Sequence, residues 1–258
     1  TTRAHAGNVH RVKQSPDKTD WSDARLLADL LRVGYLPRVW LPPYPLRQLR
    51  HVVRRRQQLV NERRAAKLRV TALLRAERVT LALSSWTKAW KQAVRHCTAL
   101  GTEGQWVGGD LLDDVDRLDR KIREIDERLE AMTAQDAFVR KLREQKGIGL
   151  VTAVTLRAEL GTMSRFRTGK QLARFCGLSP RNVSSGQKQA DGGLVDEINR
   201  ELRRVVIEAA HRLIRTVPRW SRLGQSLKRR GKPGSVAAAA VGNRWMRWLF
   251  HQLKEISV

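Results

Sequence analysis

The chain has 258 residues, 41% of them hydrophobic, with 51 Lys and Arg against 25 Asp and Glu and a formal net charge of +26. That length and apolar fraction suffice for two ordinary domains with packed cores and exclude wholesale disorder. A cationic excess of this size repels itself until a polyanion neutralises it, which excludes a typical small-molecule enzyme and points to nucleic acid.

An anionic membrane surface is the competing polyanion, but basic and acidic residues alternate along long helices and no basic amphipathic anchor stands out. No run of 18 or more apolar residues exists, so no membrane span is expected. The first residues, Thr1-Thr2-Arg3-Ala4-His5, lack both a signal-peptide core and an initiator Met, and the chain is expected to be incomplete or processed. Cys97 and Cys176 are isolated, which fits a reducing cytoplasm and gives neither a disulfide framework nor zinc spacing.

Val9 to Lys13 reads as a short strand. A helix is predicted to begin near Asp17 to Asp23, capped by Thr19 or Asp20, with Leu26, Leu27, Leu30 and Leu31 as its buried stripe and Gly34 as its C-terminal cap. Asp20 and Asp23 stand three apart and share a helix face. They can contribute to a divalent-cation site, or they serve only the helix dipole and solvation. After Pro42-Pro43 a long helix is predicted over about Pro45 to Glu77, apolar at Leu46, Leu49, Val52, Val53, Leu59, Val60, Val70, Leu73 and Leu74 and dense in arginine elsewhere. Four glycines between Ala99 and Gly109 mark the connection to a second long helix, about Asp110 to Arg143. Its Val115, Leu118, Ile122, Ile125, Leu129 and Met132 form a coiled-coil seam, which pairs with the arginine-rich helix or with a second copy of itself. The cluster Asp110, Asp113, Asp114 and Asp116 reads as a complement to that helix's N-terminal dipole.

Gly147-Ile148-Gly149 separates two helices in the manner of a helix-hairpin-helix, whose amides can face a phosphate; an ordinary turn has the same signature. Helices are predicted from Leu150 to Leu160, ended by Gly161, and over Lys170 to Phe175. Next comes the turn-rich segment Gly177 to Lys188, in which Pro180, Asn182 and Gly186 break regular structure. Ser184 and Ser185, with Arg181 and Lys188 nearby, place hydroxyls in a positive field suited to attacking or holding a phosphate. Asn199 to Thr216 reads as a helix with Arg203 on its outer side, ended by Pro218. Lys228 to Pro233 is a basic turn, and a last helix from Val236 to Leu253 carries Trp245 and Trp248, either stacking bases or, more ordinarily, packing helices.

Two well-separated stretches resemble a known family. Lys18-Thr19-Asp20-Trp21-Ser22-Asp23-Ala24, followed by a leucine-rich helix, resembles the end of the RuvC-like domain of the DEDD transposases of bacterial insertion sequences. Gly147-Ile148-Gly149 through Ser184-Ser185-Gly186 to Asn199 and Leu202-Arg203 resembles that group's C-terminal transposase domain. The resemblance implies a mainly α protein in three parts. These are a truncated α/β piece of ribonuclease-H/RuvC type over residues 1–43, a long two-helix coiled coil over 44–144, and a compact helical domain over 145–258. It implies a nucleoid-associated enzyme of the bacterial cytoplasm that cuts and rejoins DNA. Mg²⁺ would be held by four acidic residues, of which Asp20 and Asp23 are the last two, and Ser185 would be the nucleophile. Lys18, Gly147, Gly149, Arg181, Lys188 and Arg203 are the expected nucleic-acid contacts, a structured guide RNA and DNA the expected partners, and a homodimer or higher homo-oligomer through the coiled coil the expected assembly. Only 17 residues precede Lys18 and one of them, Asp17, is acidic. Half the metal set is therefore missing from this chain, and a remnant that only binds nucleic acid and dimerises is the alternative. Glu197-Ile198-Asn199 also stands where many members have a basic residue, Gly and Asn.

Overall fold

A computed structural model describes residues 19–36, 39–182, 191–194 and 199–254, together with Ala4, Val9 and Ile256. Ten α-helices and two short strands occur among these residues, so the chain is mainly α. No helix among them is long and apolar enough to cross a membrane. The chain divides into two compact units, Thr1–Tyr44 and Pro45–Val258.

In the first unit, helix α1 (Asp20–Arg32) starts where Thr19 accepts a hydrogen bond from the Ser22 amide, and it stops at Val33 before Gly34, whose φ is +73°. The expected stripe is only partly covered: Leu30 is buried, whereas Leu27 and Leu31 are 39% and 50% exposed. The strand expected at Val9 to Lys13 lies outside the described residues except for Val9, which is helical.

The second unit opens on helix α2 (Tyr44–Ala76), 33 residues or about 50 Å long. A short helix α3 (Lys88–Arg95), capped by Thr87, leads to the antiparallel helix α4 (Gly101–Thr133). The seam pairs within the chain: Val115, Leu118 and Ile122 of α4 bury against Leu59 and Ala66 of α2. Arg56 pairs with Asp126, and Arg63 with Asp119 at 2.6 Å. From one pair to the next the chain advances seven residues on α2 and retreats seven on α4, so these half-buried charges register the hairpin one heptad apart. Leu129 is also buried, while Met132 is 43% exposed near the end of α4. At the other end, Val70, Leu74, Trp90, Val94, Leu100 and Leu112 form a core in which α3 covers the hairpin tip.

Two expectations are corrected in the hairpin. Of the four glycines only Gly101, at φ +64°, turns the chain into α4; Gly104, Gly108 and Gly109 lie inside that helix. A methyl group on Gly108 would touch Leu73, Val94 and Leu100, and one on Gly104 would press on Leu100 at 3.1 Å. These glycines permit close packing there rather than a turn. Because α4 starts early, Asp113, Asp114 and Asp116 sit well inside it and not at its dipole. They pair with Arg95, Arg117 and Lys91 instead. The helix also breaks at residues 134–136, where Asp136 caps α5 (Ala137–Arg143).

The remaining elements are α6 (Leu150–Leu160), α7 (Gly169–Phe175), strands β1 (Pro180–Asn182) and β2 (Asp191–Leu194), and helices α8 (Arg200–Thr216), α9 (Pro218–Arg229) and α10 (Gly234–Lys254). Pro218 does not simply end α8; it starts α9 at a first-turn position where its missing N–H costs nothing. Helix α10 is central, packed on α7, α8 and α9. Its Ala237, Ala238, Val241 and Gly242 are buried, and such small side chains let neighbours approach closely. Trp245 is fully buried and its indole N–H donates to Gln145 at 2.9 Å, so it serves packing. Cys176 is buried and Cys97 half-buried, both as free thiols; burial pushes the Cys176 thiol up.

The hairpin is joined to these helices by buried charge. Glu159 near the end of α6 is 6% exposed. Arg54 of α2 donates to its two oxygens at 3.1 and 3.3 Å, and Arg50 donates to the Ala158 and Glu159 carbonyls at 2.6 and 3.1 Å. Arg165 beside them is lowered to about 10 by desolvation and by Arg50, and its guanidinium stacks on Phe166 and Phe175. Between α5 and α6, Gly147 adopts φ +91°, and a methyl group there would stand 3.0 Å from Thr216 Oγ1. The Gly147 carbonyl accepts from Arg212 Nε at 3.1 Å. Gly149, in contrast, is the extended N-cap of α6 with open space around it.

Glu159→Gln leaves two guanidiniums facing a neutral amide and lowers the unfolding free energy by about 2–3 kcal/mol in urea titrations, somewhat less than for a fully buried pair because Arg54 is part-exposed. Gly147→Ala costs about 1–3 kcal/mol through its backbone conformation and its crowding by Thr216. Gly149→Ser is neutral or stabilising by about 0.5 kcal/mol because serine is a good N-cap there. Equal losses at the two glycines in thermal unfolding would contradict this division.

Candidate nucleic-acid interface

Asp20 and Asp23 lie in the first turn of α1, both exposed, where Thr19 caps the helix and the Asp23 amide donates to the Thr19 carbonyl at 3.1 Å. Two hard oxygen donors on one helical turn suit a divalent cation but do not complete its shell. No group of three or more His, Cys, Asp or Glu that could hold a metal occurs among the described residues. The pair can therefore contribute to a metal site and cannot make one alone.

The serine segment is bracketed by structure that sequence periodicity did not reveal. Strands β1 and β2 pair antiparallel, Pro180 opposite Leu194 and Asn182 opposite Asp191, with a bulge between the two pairings. The joining residues 183–190, with Ser184, Ser185 and Lys188, lie outside the described residues, as do Lys18 and the side chain of Arg181 on β1. Both approaches to the segment are fixed by asparagines. Asn243 of α10 donates to the Leu178 carbonyl at 3.0 Å, just before β1. Asn199 caps α8, accepting from the Glu201 and Leu202 amides at 3.1 and 3.2 Å. The asparagine of Glu197-Ile198-Asn199 thus has a local structural task. Gly177, at φ +69°, turns the chain from α7 toward β1.

Gly147 and Gly149 line a groove of about 660 Å³ together with Arg56, Gln57, Thr152, Arg204, Glu208 and Arg212. The groove brings the turn before α6 next to the hairpin and α8. Its cations are largely engaged. Arg56 is paired with Asp126, Arg204 with Glu201 and Glu208, and Arg212 with the Gly147 carbonyl and Thr152. Hydrogen bonding to Glu201 raises Arg204, outweighing its desolvation. Arg203, half-buried on α8, is not among the residues lining this groove.

The cationic excess is concentrated elsewhere. Residues 209–254 contain eleven Lys and Arg and no Asp or Glu. Acids of the hairpin pair with Arg55, Arg56 and Arg63 in place, but α9 and α10 offer none. On their shared side lies a second groove, about 480 Å³, lined by Arg219, Trp220, Leu223, Arg244, Arg247, Trp248 and His251. Residue-by-residue periodicity missed it because its two walls come from different helices. The acid-free run was the signal that could have marked it.

Comparison with known proteins accords with these features. A family model described as a transposase, of the DEDD IS110 type, matches residues 2–78, and one described as the transposase IS116/IS110/IS902 family matches residues 139–225. The chain is 31% identical over 145 residues to a "Probable family 20 transposase" of Pseudomonas aeruginosa, covering 55% of this chain and 43% of that protein. It is 30% identical over 137 residues to the transposase for insertion sequence element IS1111A of Coxiella burnetii, covering 50% of this chain and 37% of that one. The chain spans less than half the length of these curated relatives. Through its two matched segments, which lie in one chain with a mainly helical fold and a strongly basic sequence, the chain carries transposase domains of the DEDD IS110 and IS116/IS110/IS902 types.

Proposed function

We propose that the chain acts in DNA transposition, as part of an enzyme that cuts and rejoins DNA through a serine nucleophile and a divalent-metal site. The observation that carries this proposal is the presence of both family segments in one chain, the one bearing Asp20 and Asp23 at residues 2–78 and the serine-containing one at 139–225. The cationic excess supports a nucleic-acid substrate.

In this proposal Ser185 Oγ bonds to phosphorus, the bridging P–O bond of the strand breaks, and the displaced oxygen takes a proton. One phosphodiester replaces another, so the strand can be resealed by the reverse step without an external energy source. A serine hydroxyl is a poor nucleophile near neutral pH and needs activation and charge neutralisation around the phosphate. Arg181 and Lys188 are the nearest cations in sequence to offset that charge. Asp20 and Asp23 would supply two donors to Mg²⁺, which when bound stabilises charge on attacking and leaving oxygens. Asn243 and Asn199 would act as positioning residues, holding the approaches to the serine segment. Gly147, Gly149, Arg203 and Lys18 would contact the nucleic-acid backbone, with the α5–α6 turn serving as a helix-hairpin-helix. A structured guide RNA would select the DNA, and copies of the chain would assemble so that one copy's acidic residues serve another's serine. Because the seam is filled by α2 and α4 of the same chain, assembly through the hairpin would use its outer faces. The enzyme would work at the nucleoid in the bacterial cytoplasm.

The test is covalent trapping. Protein from the full reading frame is incubated with end-labelled DNA, guide RNA and Mg²⁺, and denatured in SDS. A protein–DNA adduct is expected. It falls by about 10³-fold or more in Ser185→Ala, persists in Ser184→Ala, and weakens strongly in Asp20→Asn and Asp23→Asn. An adduct at parental yield in Ser185→Ala would remove the nucleophile assignment, and nucleic-acid binding with no adduct under any condition would leave a binding protein.

A further inference from the structure

We infer that the groove between α9 and α10 is a binding site for an unpaired stretch of a nucleic-acid strand, with Trp248 as its stacking ring and Arg219, Arg244 and Arg247 as its phosphate contacts. The inference rests on the proposed nucleic-acid function and names a site for it outside the serine and acidic segments.

Three features of the groove agree. The first is rigidity. Trp220 is 5% exposed and meets Trp248 edge to face, with ring centroids 6.3 Å apart. The inner indole thus braces the outer, half-buried one, and a braced ring can stack a base without losing side-chain freedom on binding. The second is charge. Arg219, Arg244 and Arg247 are all exposed and line the same groove as the two indoles. None has a carboxylate partner among the described residues, and none can find one within residues 209–254. Three guanidiniums held together without counter-charge repel one another, and a polyphosphate backbone relieves that repulsion while releasing its own counterions. The third is arrangement. Arg219 lies 4.8 Å from the Trp220 ring centroid and 5.8 Å from that of Trp248, so cation and ring are already interleaved as single-strand sites require.

The volume, about 480 Å³, lies within the range of ligand sites. The other large groove contrasts with it: its arginines are held by Asp126, Glu201, Glu208 and backbone oxygens. An acidic protein segment would satisfy the arginines but make no use of the half-buried Trp248 ring. Unpaired nucleotides satisfy both, and bases still paired in a duplex offer no free face to the ring.

The test uses the 258-residue chain with fluorescently labelled oligothymidylate, oligouridylate and a duplex of equal length, titrated by anisotropy over a range of KCl. In parallel, 5-iodouracil oligonucleotides of both sugars are photocrosslinked and the adducts mapped by mass spectrometry. Crosslinks to Trp248 are expected. Arg244→Ala combined with Arg247→Ala weakens single-strand binding by about tenfold or more and lowers the log–log salt slope by about 1.4, while duplex affinity changes less. Trp248→Ala weakens it about tenfold with the slope unchanged, and Trp248→Phe recovers most of the loss by restoring a ring, which separates stacking from misfolding. Preference for the deoxy strand assigns the site to DNA and preference for the ribo strand to RNA; either supports it. A parent chain that binds single strands, with the variants within twofold of it and crosslinks confined to other residues, overturns this groove alone. A parent chain that retains no nucleic acid at about 0.1 M KCl overturns both this site and the nucleic-acid function beneath it.

Discussion

A single buried carboxylate joins the long hairpin to the helices that follow it. Glu159 stands near the C-terminal end of α6, where the helix dipole already favours positive charge, and it receives Arg54 on its side chain while Arg50 binds the carbonyls beside it. Burying this acid is unfavourable on its own and becomes tolerable only with both guanidiniums in place. The contact is therefore conditional: α2 must arrive with its correct face and at its correct height. Given that, the groove at Gly147 and Gly149 has its walls, because Arg56 and Gln57 come from α2 one turn further along.

Charge is used in two different ways along this chain. In the hairpin it is internal. Arg56 and Arg63 of α2 and Lys91 and Arg95 of α3 each meet an aspartate of α4, so part of the basic charge that the sequence shows is neutralised within the fold. Beyond Glu208 the opposite holds, and the cations of α9 and α10 face outward without acids among them. The overall excess of +26 thus understates how uneven the surface is. An uneven field orients an approaching polyanion, whereas a uniform one only attracts it.

Most of the helices were legible in the sequence because their stop signals are local. Gly34, Gly161 and the Asn199 cap act on the turn beside them, and the seam of α4 repeats strictly enough to reveal its face. What failed had a non-local cause. A glycine reads as a turn until one knows that Leu73 and Val94 crowd it, as they do at Gly108. Pro218 reads as a terminator because its place in the first turn of the next helix is visible only once α9 exists. The aspartates of α4 read as a helix start because the true start, nine residues earlier, is hidden among glycines. At the candidate sites, the cap that sets Asp20 and Asp23 in a first turn was readable from Thr19. The asparagine contact to Leu178 was not, since it joins residues 65 apart. The α9–α10 groove was hidden for the same reason.

Gly169 carries a mechanical consequence. A methyl group there would meet the main chain of Arg247 at 2.9 to 3.3 Å, so α7 and α10 touch backbone to backbone. Such a contact has no rotamers to change and is stiffer than one made by interlocking side chains. The two helices form, in effect, one beam. Asn243 on α10 grips the Leu178 carbonyl just beyond the end of α7, so the root of β1 is clamped at both ends of that beam. Where β1 departs is thereby set by main-chain geometry, and a force applied at the tryptophan groove on α10 would reach the root of β1 with little lost to compliance.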